Sequence, residues 1–182
     1  MKKNLIVKLL LIFLIGAFII TACTKERNIT VSYQMKDVKE IIPSYQLSIW
    51  LEKPDGTFVT TLFVSEYLAY GGYLEYGVCP SWSKKAHWDT VTKEELDAVS
   101  GATPVPGEVK LEMKFNADKV PDGEYNLFIQ VHLTSDLNDT YKGKVNFVSG
   151  KATVSQIKPY KIKEVKSEDK YRLLSNIKLT ID

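Results

Sequence analysis

Val109-Lys110-Leu111-Glu112-Met113-Lys114-Phe115, then Val120-Pro121-Asp122-Gly123, then Tyr125-Asn126-Leu127-Phe128-Ile129-Gln130-Val131-His132-Leu133 is the stretch that decides the fold. Apolar residues recur at every second position on both sides of Pro-Asp-Gly, and a period of two places them on one face of an extended chain. Proline presets φ and glycine accepts a positive φ, so the tripeptide reads as the turn of a hairpin.

The same pattern continues outward from this stretch. Ile29, Val31 and Tyr33 alternate, as do Leu47, Ile49 and Leu51, which stop at Pro54-Asp55-Gly56 before Phe58, Thr60, Leu62 and Val64. Toward the C-terminus, Tyr141, Gly143, Val145 and Phe147 form another run, Ser149-Gly150 a turn, Ala152 to Ile157 a further strand and Leu173 to Ile181 a closing one. About seven or eight short strands joined by turns predict an all-β fold, an immunoglobulin-like antiparallel β-sandwich. Two sheets that each keep one polar face must join their apolar faces to make a core. Tyr160 to Lys170, dense in lysine and glutamate, reads as a solvated excursion.

The N-terminus follows a different pattern. Lys2, Lys3 and Lys8 lead into the apolar run Leu9 to Ile20, which ends in Ile20-Thr21-Ala22-Cys23. The run is short for a membrane span and suits a lipoprotein signal peptide of residues 1–22, with Cys23 as the lipid-bearing first residue. The other reading is an uncleaved N-terminal anchor; both place the rest of the chain outside the cytoplasm. The segment removed holds three lysines and no acid, so the formal charge of +2 becomes −1 for residues 23–182, which are expected to form one domain.

Only Arg27 and Arg172 are arginines, and the lysines are scattered among acids, so nucleic acid is not an expected partner. With Cys23 lipidated, Cys79 has no partner for an internal disulfide; it reads as a small buried hydrophobe or as a reactive thiol. His87 and His132 are far apart, no cluster has ligand spacing, and no metal is expected. His132 falls on the polar phase of its strand and is expected at the surface, while Asp136 and Asp139 flank Asn138 in what reads as an acidic turn. No nucleophile lies in an elbow motif and no carboxylate pair has glycosidase spacing, so an autonomous hydrolase is not suggested and no catalytic residue is assigned.

Between Ser65 and Gly107 the alternation is lost, and this irregular insertion is where function is expected. Thr92 and Glu95 make a capping box for a short helix from about Lys93 to Val99, with Gly101 at its end in a positive-φ role. Pro104, Pro106 and Gly107 stop the helix and stiffen the turn after it. Tyr67, Tyr70, Tyr73, Tyr76, Trp82 and Trp88 crowd the preceding segment, where Gly71-Gly72 breaks any continuous helix. These rings could stack on a flat cofactor, close one end of the sandwich, or form a platform for sugar.

Asp97-Ala98-Val99-Ser100-Gly101-Ala102-Thr103 in this insertion resembles the modification sequence of the FMN-binding subunits of sodium-pumping quinone reductase and of the Rnf complex. That resemblance implies covalent FMN, moved from FAD by a magnesium-dependent flavin transferase onto the Thr103 hydroxyl as a phosphoester. Ser100, Gly101 and Ala102 would give close approach, and Asp97 would orient hydroxyls or serve the transferase's magnesium site. A nucleophile that must enter another protein's active site needs small neighbours and an accessible loop.

A wider likeness covers most of residues 23–182. Leu47-Ser48-Ile49-Trp50-Leu51-Glu52 to Asp55-Gly56, Leu62-Phe63-Val64-Ser65, Pro80-Ser81-Trp82, Asp97 to Gly107 and Val120 to Tyr125 look like predicted periplasmic proteins known as domain of unknown function 2271. Members are often encoded near the transferase and membrane redox proteins. The lipobox and the likeness of the seven-residue motif to flavin-modification sequences together imply a lipid-anchored carrier that passes electrons between a membrane redox partner and an external acceptor. The alternative is a cofactor-free surface lipoprotein binding a glycan or protein through its aromatic insertion.

Overall fold

The computed structural model describes residues 26–149 and 151–181; Cys23 and the expected signal segment, residues 1–22, lie outside the described residues. Among the described residues ten strands form two sheets. They are β1 (Glu26–Met35), β2 (Leu47–Glu52), β3 (Phe58–Ser65), β4 (Ser100–Gly101), β5 (Gly107–Asn116), β6 (Gly123–Thr134), β7 (Leu137–Val148), β8 (Lys151–Val154), β9 (Lys158–Pro159) and β10 (Leu174–Ile181). The smaller sheet has the order β10-β1-β5, and the larger runs β4-β3-β2-β6-β7-β8, with β9 also on β7. The pairs are antiparallel except β3 with β4, which is parallel.

The two sheets face each other over an aliphatic core. Ile29, Val31 and Met35 of β1 meet Leu47, Ile49 and Leu51 of β2 and Leu127, Ile129 and Val131 of β6 within one buried cluster. These are the alternate positions of the sequence pattern, so the all-β sandwich follows from the period of two. Tyr125 seals one end, its hydroxyl donating to the Pro121 carbonyl at 2.7 Å in the manner of a tyrosine corner.

The two Pro-Asp-Gly turns differ. At Pro54-Asp55-Gly56 the chain makes the expected hairpin: Lys53 N–H donates to Thr57 O at 2.8 Å, Asp55 accepts from Thr57 N–H, and Gly56 has φ +89°. Pro121-Asp122-Gly123 is no hairpin. β5 pairs with β1 in the small sheet and β6 with β2 and β7 in the large one, so the chain crosses between sheets here. Asp122 pairs instead with Arg27 at 2.6 Å, and Arg27 lies 4.8 Å from the Phe147 ring centre.

The outer face of the large sheet is not left polar. Every residue of β2 is buried, because the insertion folds over Trp50, Val64 and Phe128. It contains three short helices rather than one, α1 (Glu66–Ala69), α2 (Pro80–Ala86) and α3 (Lys93–Val99), with single turns at Gly72–Leu74 and Trp88–Thr90. A register shift in β3 pairs Ile49 with Phe63 and Trp50 with Thr61. The extra residue puts both Leu62 and Phe63 in the main core and sends Val64 to the outer cluster, against the simple alternation.

Candidate functional site

Of the seven motif residues, Asp97–Val99 close helix α3, Ser100 and Gly101 pair with the end of β3, and Ala102 and Thr103 begin the turn that follows. Helix α3 begins with the capping box: Thr92 Oγ1 accepts from Glu95 N–H at 3.3 Å, and the Glu95 carboxylate accepts from Thr92 N–H. It ends at Ser100, which is extended with φ −83° and ψ 145°, and whose N–H donates to Leu96 O. Ser100 and Gly101 then continue as β4, opposite Val64 and Ser65. The motif thus leaves a helix and is stapled to the sheet before its free turn begins.

Gly101 has no positive φ, contrary to the expectation from the helix end. It is required by packing: a Cβ there would stand 2.8 Å from the Phe63 ring. Ala102 and Val105 are exposed, Pro104 is buried, and Thr103 between them is half-buried. The turn therefore presents small side chains around the hydroxyl while Pro104 anchors it.

Thr103 meets a residue that the sequence did not single out. Gln46 Nε2 donates to Thr103 Oγ1 at 3.1 Å. Gln46 is 8% exposed, just before β2, and its own backbone is fixed on both sides. Its N–H donates to Ser44 Oγ at 3.3 Å, and its carbonyl accepts from His132 N–H at 2.8 Å and from Cys79 Sγ at 3.6 Å. Gln46 Oε1 is buried with no hydrogen-bond partner among the described residues. In sequence, a glutamine before a strand reads as solvated, so nothing marked it.

Asp97 does not contact Thr103 in any hydrogen bond of the site. It accepts from Lys93 Nζ at 2.6 Å, one helical turn back, and from the Tyr70 hydroxyl. The Lys93 bond, then the Tyr70 bond, hold the Asp97 carboxyl below the ordinary carboxylate range, and the Asp97 bond pushes the Tyr70 phenol up. Asp97 is therefore an ionised, solvent-facing carboxylate at neutral pH. Tyr70 links the motif's helix to the tyrosine-rich segment.

The aromatic residues of the insertion fall into three settings: two buried tryptophans, three exposed tyrosines, and Tyr73, half-buried against the outer cluster. Trp82 and Trp88 are buried with ring centres 4.6 Å apart; their indole N–H groups donate to Thr61 Oγ1 and Ala69 O, each at 3.0 Å. They hold the insertion to the sheet; Trp82 is fully enclosed, and Trp88 is 5% exposed. Tyr67, Tyr70 and Tyr76 are exposed, with Leu74 beside them in sequence. A separate open cleft of about 620 Å³ lies between α3 and strands β3 and β5, lined in part by Phe58, Thr60, Trp88, Val99, Glu95 and Lys119.

Three other sequence readings meet the structure here. Cys79 is fully buried, its N–H donates to Asn138 Oδ1 at 3.1 Å, and burial pushes its thiol up to about 12, so it behaves as a small core residue. His132 is buried rather than exposed: its Nδ1 lies 2.6 Å from Ser44 Oγ and its Nε2 2.8 Å from Ser135 O. The insertion covers the polar phase of β6, which is why alternation misplaced it. Asp139 is buried and engaged by Tyr141, Arg172 and the Leu173 N–H, while Asp136 pairs with Lys166. Among the described residues no group of three His, Cys, Asp or Glu side chains could hold a metal ion.

These features define an all-β sandwich whose outer face carries a helical insertion with a threonine-bearing turn at its edge. The family described as predicted periplasmic protein (DUF2271) matches residues 26–161, and the chain belongs to it. Membership supports a location outside the cytoplasm. No curated protein and no solved structure matches the chain.

Proposed function

We propose that this protein is an extracytoplasmic flavin carrier, lipid-anchored through Cys23, that holds FMN as a phosphoester on Thr103. The observation that carries the reading is the setting of Thr103: a half-buried threonine on a proline-stiffened turn, flanked by exposed Ala102, with a buried amide donor 3.1 Å from its hydroxyl oxygen. A transferase needs such a hydroxyl within reach, and a phosphoester needs a donor beside it. Ser100 and Gly101 fix the approach through β4, and Asp97 offers an ionised carboxylate one helical turn before Ser100. FMN bound there supplies one- or two-electron transfer between a membrane redox partner and an external acceptor. The chain contributes tether, orientation and surroundings.

The test is intact mass and visible absorbance of residues 23–182 co-expressed with a flavin transferase, beside Thr103→Ala. An FMN-sized adduct that the substitution abolishes supports the carrier reading. No adduct under conditions that modify a known acceptor overturns it.

The exposed Tyr67, Tyr70 and Tyr76 favour a second reading, a cofactor-free lipoprotein that binds a glycan or protein through this surface. It expects a colourless protein whose ligand binding is lost in a Tyr67→Ala/Tyr76→Ala variant and unaffected by Thr103→Ala.

A further inference from the structure

We propose that Gln46 is the positioning residue of the threonine acceptor: its carboxamide holds the Thr103 hydroxyl ready for transfer and then donates to the phosphoester that forms. The proposal rests on the flavin-carrier reading and adds to it a residue outside the motif.

A carboxamide nitrogen only donates, so Thr103 Oγ1 spends one lone pair accepting from Gln46 and its own proton points elsewhere. The hydroxyl keeps a second lone pair for attack and a proton for a base to take. The reaction balances as Thr103 O–H plus FAD giving the Thr103 phosphoester of FMN, AMP and a proton. The Thr103 oxygen forms a bond to the FMN phosphorus, the bond from that phosphorus to the bridging oxygen breaks, and AMP leaves with the electron pair.

Gln46 is 8% exposed and its Oε1 has no partner among the described residues, so the carbonyl end of its amide gives up its hydrogen bonds to water on folding. A leucine or methionine would fill the space without that loss. Buried polar groups with an unmet atom occur where a site needs them more than a core does.

Ser44 Oγ, His132 N–H and Cys79 Sγ fix the Gln46 backbone, so the carboxamide starts from a clamped base just before β2. A donor already in place loses little freedom when the phosphoester forms, and its bond to an anionic oxygen is stronger than that to a hydroxyl.

The experiment is a time course of FMN attachment by intact mass, using residues 23–182, purified transferase, FAD and magnesium, for the wild type, Gln46→Leu and Gln46→Glu. Gln46→Leu is expected to cut kcat for attachment about tenfold, the effect of losing one positioned hydrogen bond, with KM for the acceptor protein unchanged. Gln46→Glu keeps the shape but cannot donate when ionised, so its rate is expected to rise as pH falls toward the carboxyl's protonation. The ³¹P resonance of the loaded protein is expected to shift between wild type and Gln46→Leu, which a purely structural role would not produce. Wild-type kcat in both variants overturns the proposal. An unlabelled wild type beside a labelled known acceptor overturns the flavin reading instead. If Gln46→Leu fails to fold, the pH profile of Gln46→Glu decides alone.

Discussion

The protein has two apolar cores on opposite faces of one sheet, and they are built differently. The core between the sheets consists mainly of aliphatic side chains at alternate strand positions, such as Ile29, Ile49, Leu127 and Ile129. The core beneath the insertion is centred on Trp50, Trp82 and Trp88, and each indole N–H has a named acceptor. Trp50 donates to Glu52 at 2.7 Å, and Glu52 in turn accepts from Lys85 of α2 at 2.6 Å. Aliphatic packing is indifferent to direction, whereas an indole with a fixed acceptor sets one orientation. The first core makes the sandwich, and the second places an irregular segment on it accurately enough to hold the threonine turn.

The largest effect is expected from Trp82→Ala, which empties the centre of the outer core and leaves Thr61 without its donor. It should cost about 3–5 kcal/mol. If the cores are separate cooperative units, hydrogen exchange will rise across residues 66–106 while β1 and β5 keep their protection; uniform loss of protection would merge them into one. Ile129→Ala reverses the comparison. Urea unfolding should show a loss of about 2–5 kcal/mol, with protection lost throughout the sandwich.

Gly101→Ala sharpens the junction between the two. The added methyl meets the Phe63 ring at 2.8 Å, so overpacking should cost about 1–3 kcal/mol by urea denaturation. Phe63→Leu in the same chain should recover much of that, giving a measurable coupling in a double-mutant cycle. A glycine needed for φ would show no such rescue.

The smallest effect concerns His132. Burial holds its imidazole below the ordinary value of 6.5, so the unfolded chain takes up the proton first. Stability should be full above about pH 6.5 and fall as the pH drops toward the folded value, by no more than about 1.4 kcal/mol per pH unit. The urea midpoint between pH 8 and 5 checks this, and the slope attributed to His132 should vanish in His132→Asn.

Residues with local chemistry were legible in sequence. The Thr92 and Glu95 capping box placed α3 within its observed bounds, and Gly71-Gly72 divided the tyrosine segment as expected. The second Pro-Asp-Gly was misread because a turn tripeptide states that the chain bends, not which strand it joins next. His132 and the outer face of β2 were misread because alternation reports polarity, and a polar face can be covered by a distant segment that satisfies it. Gln46 was invisible because its partner, Thr103, lies 57 residues away.

The sequence by itself determined the all-β class, the main core and the location of the irregular insertion, since each depends on periodicity or turn chemistry within a few residues. Tertiary structure alone decided how the strands divide between the sheets, which aromatics are buried and which lie open, and that Gln46 meets Thr103. These depend on contacts between distant segments, whose free energy is gained only once the chain has closed the long loops between them.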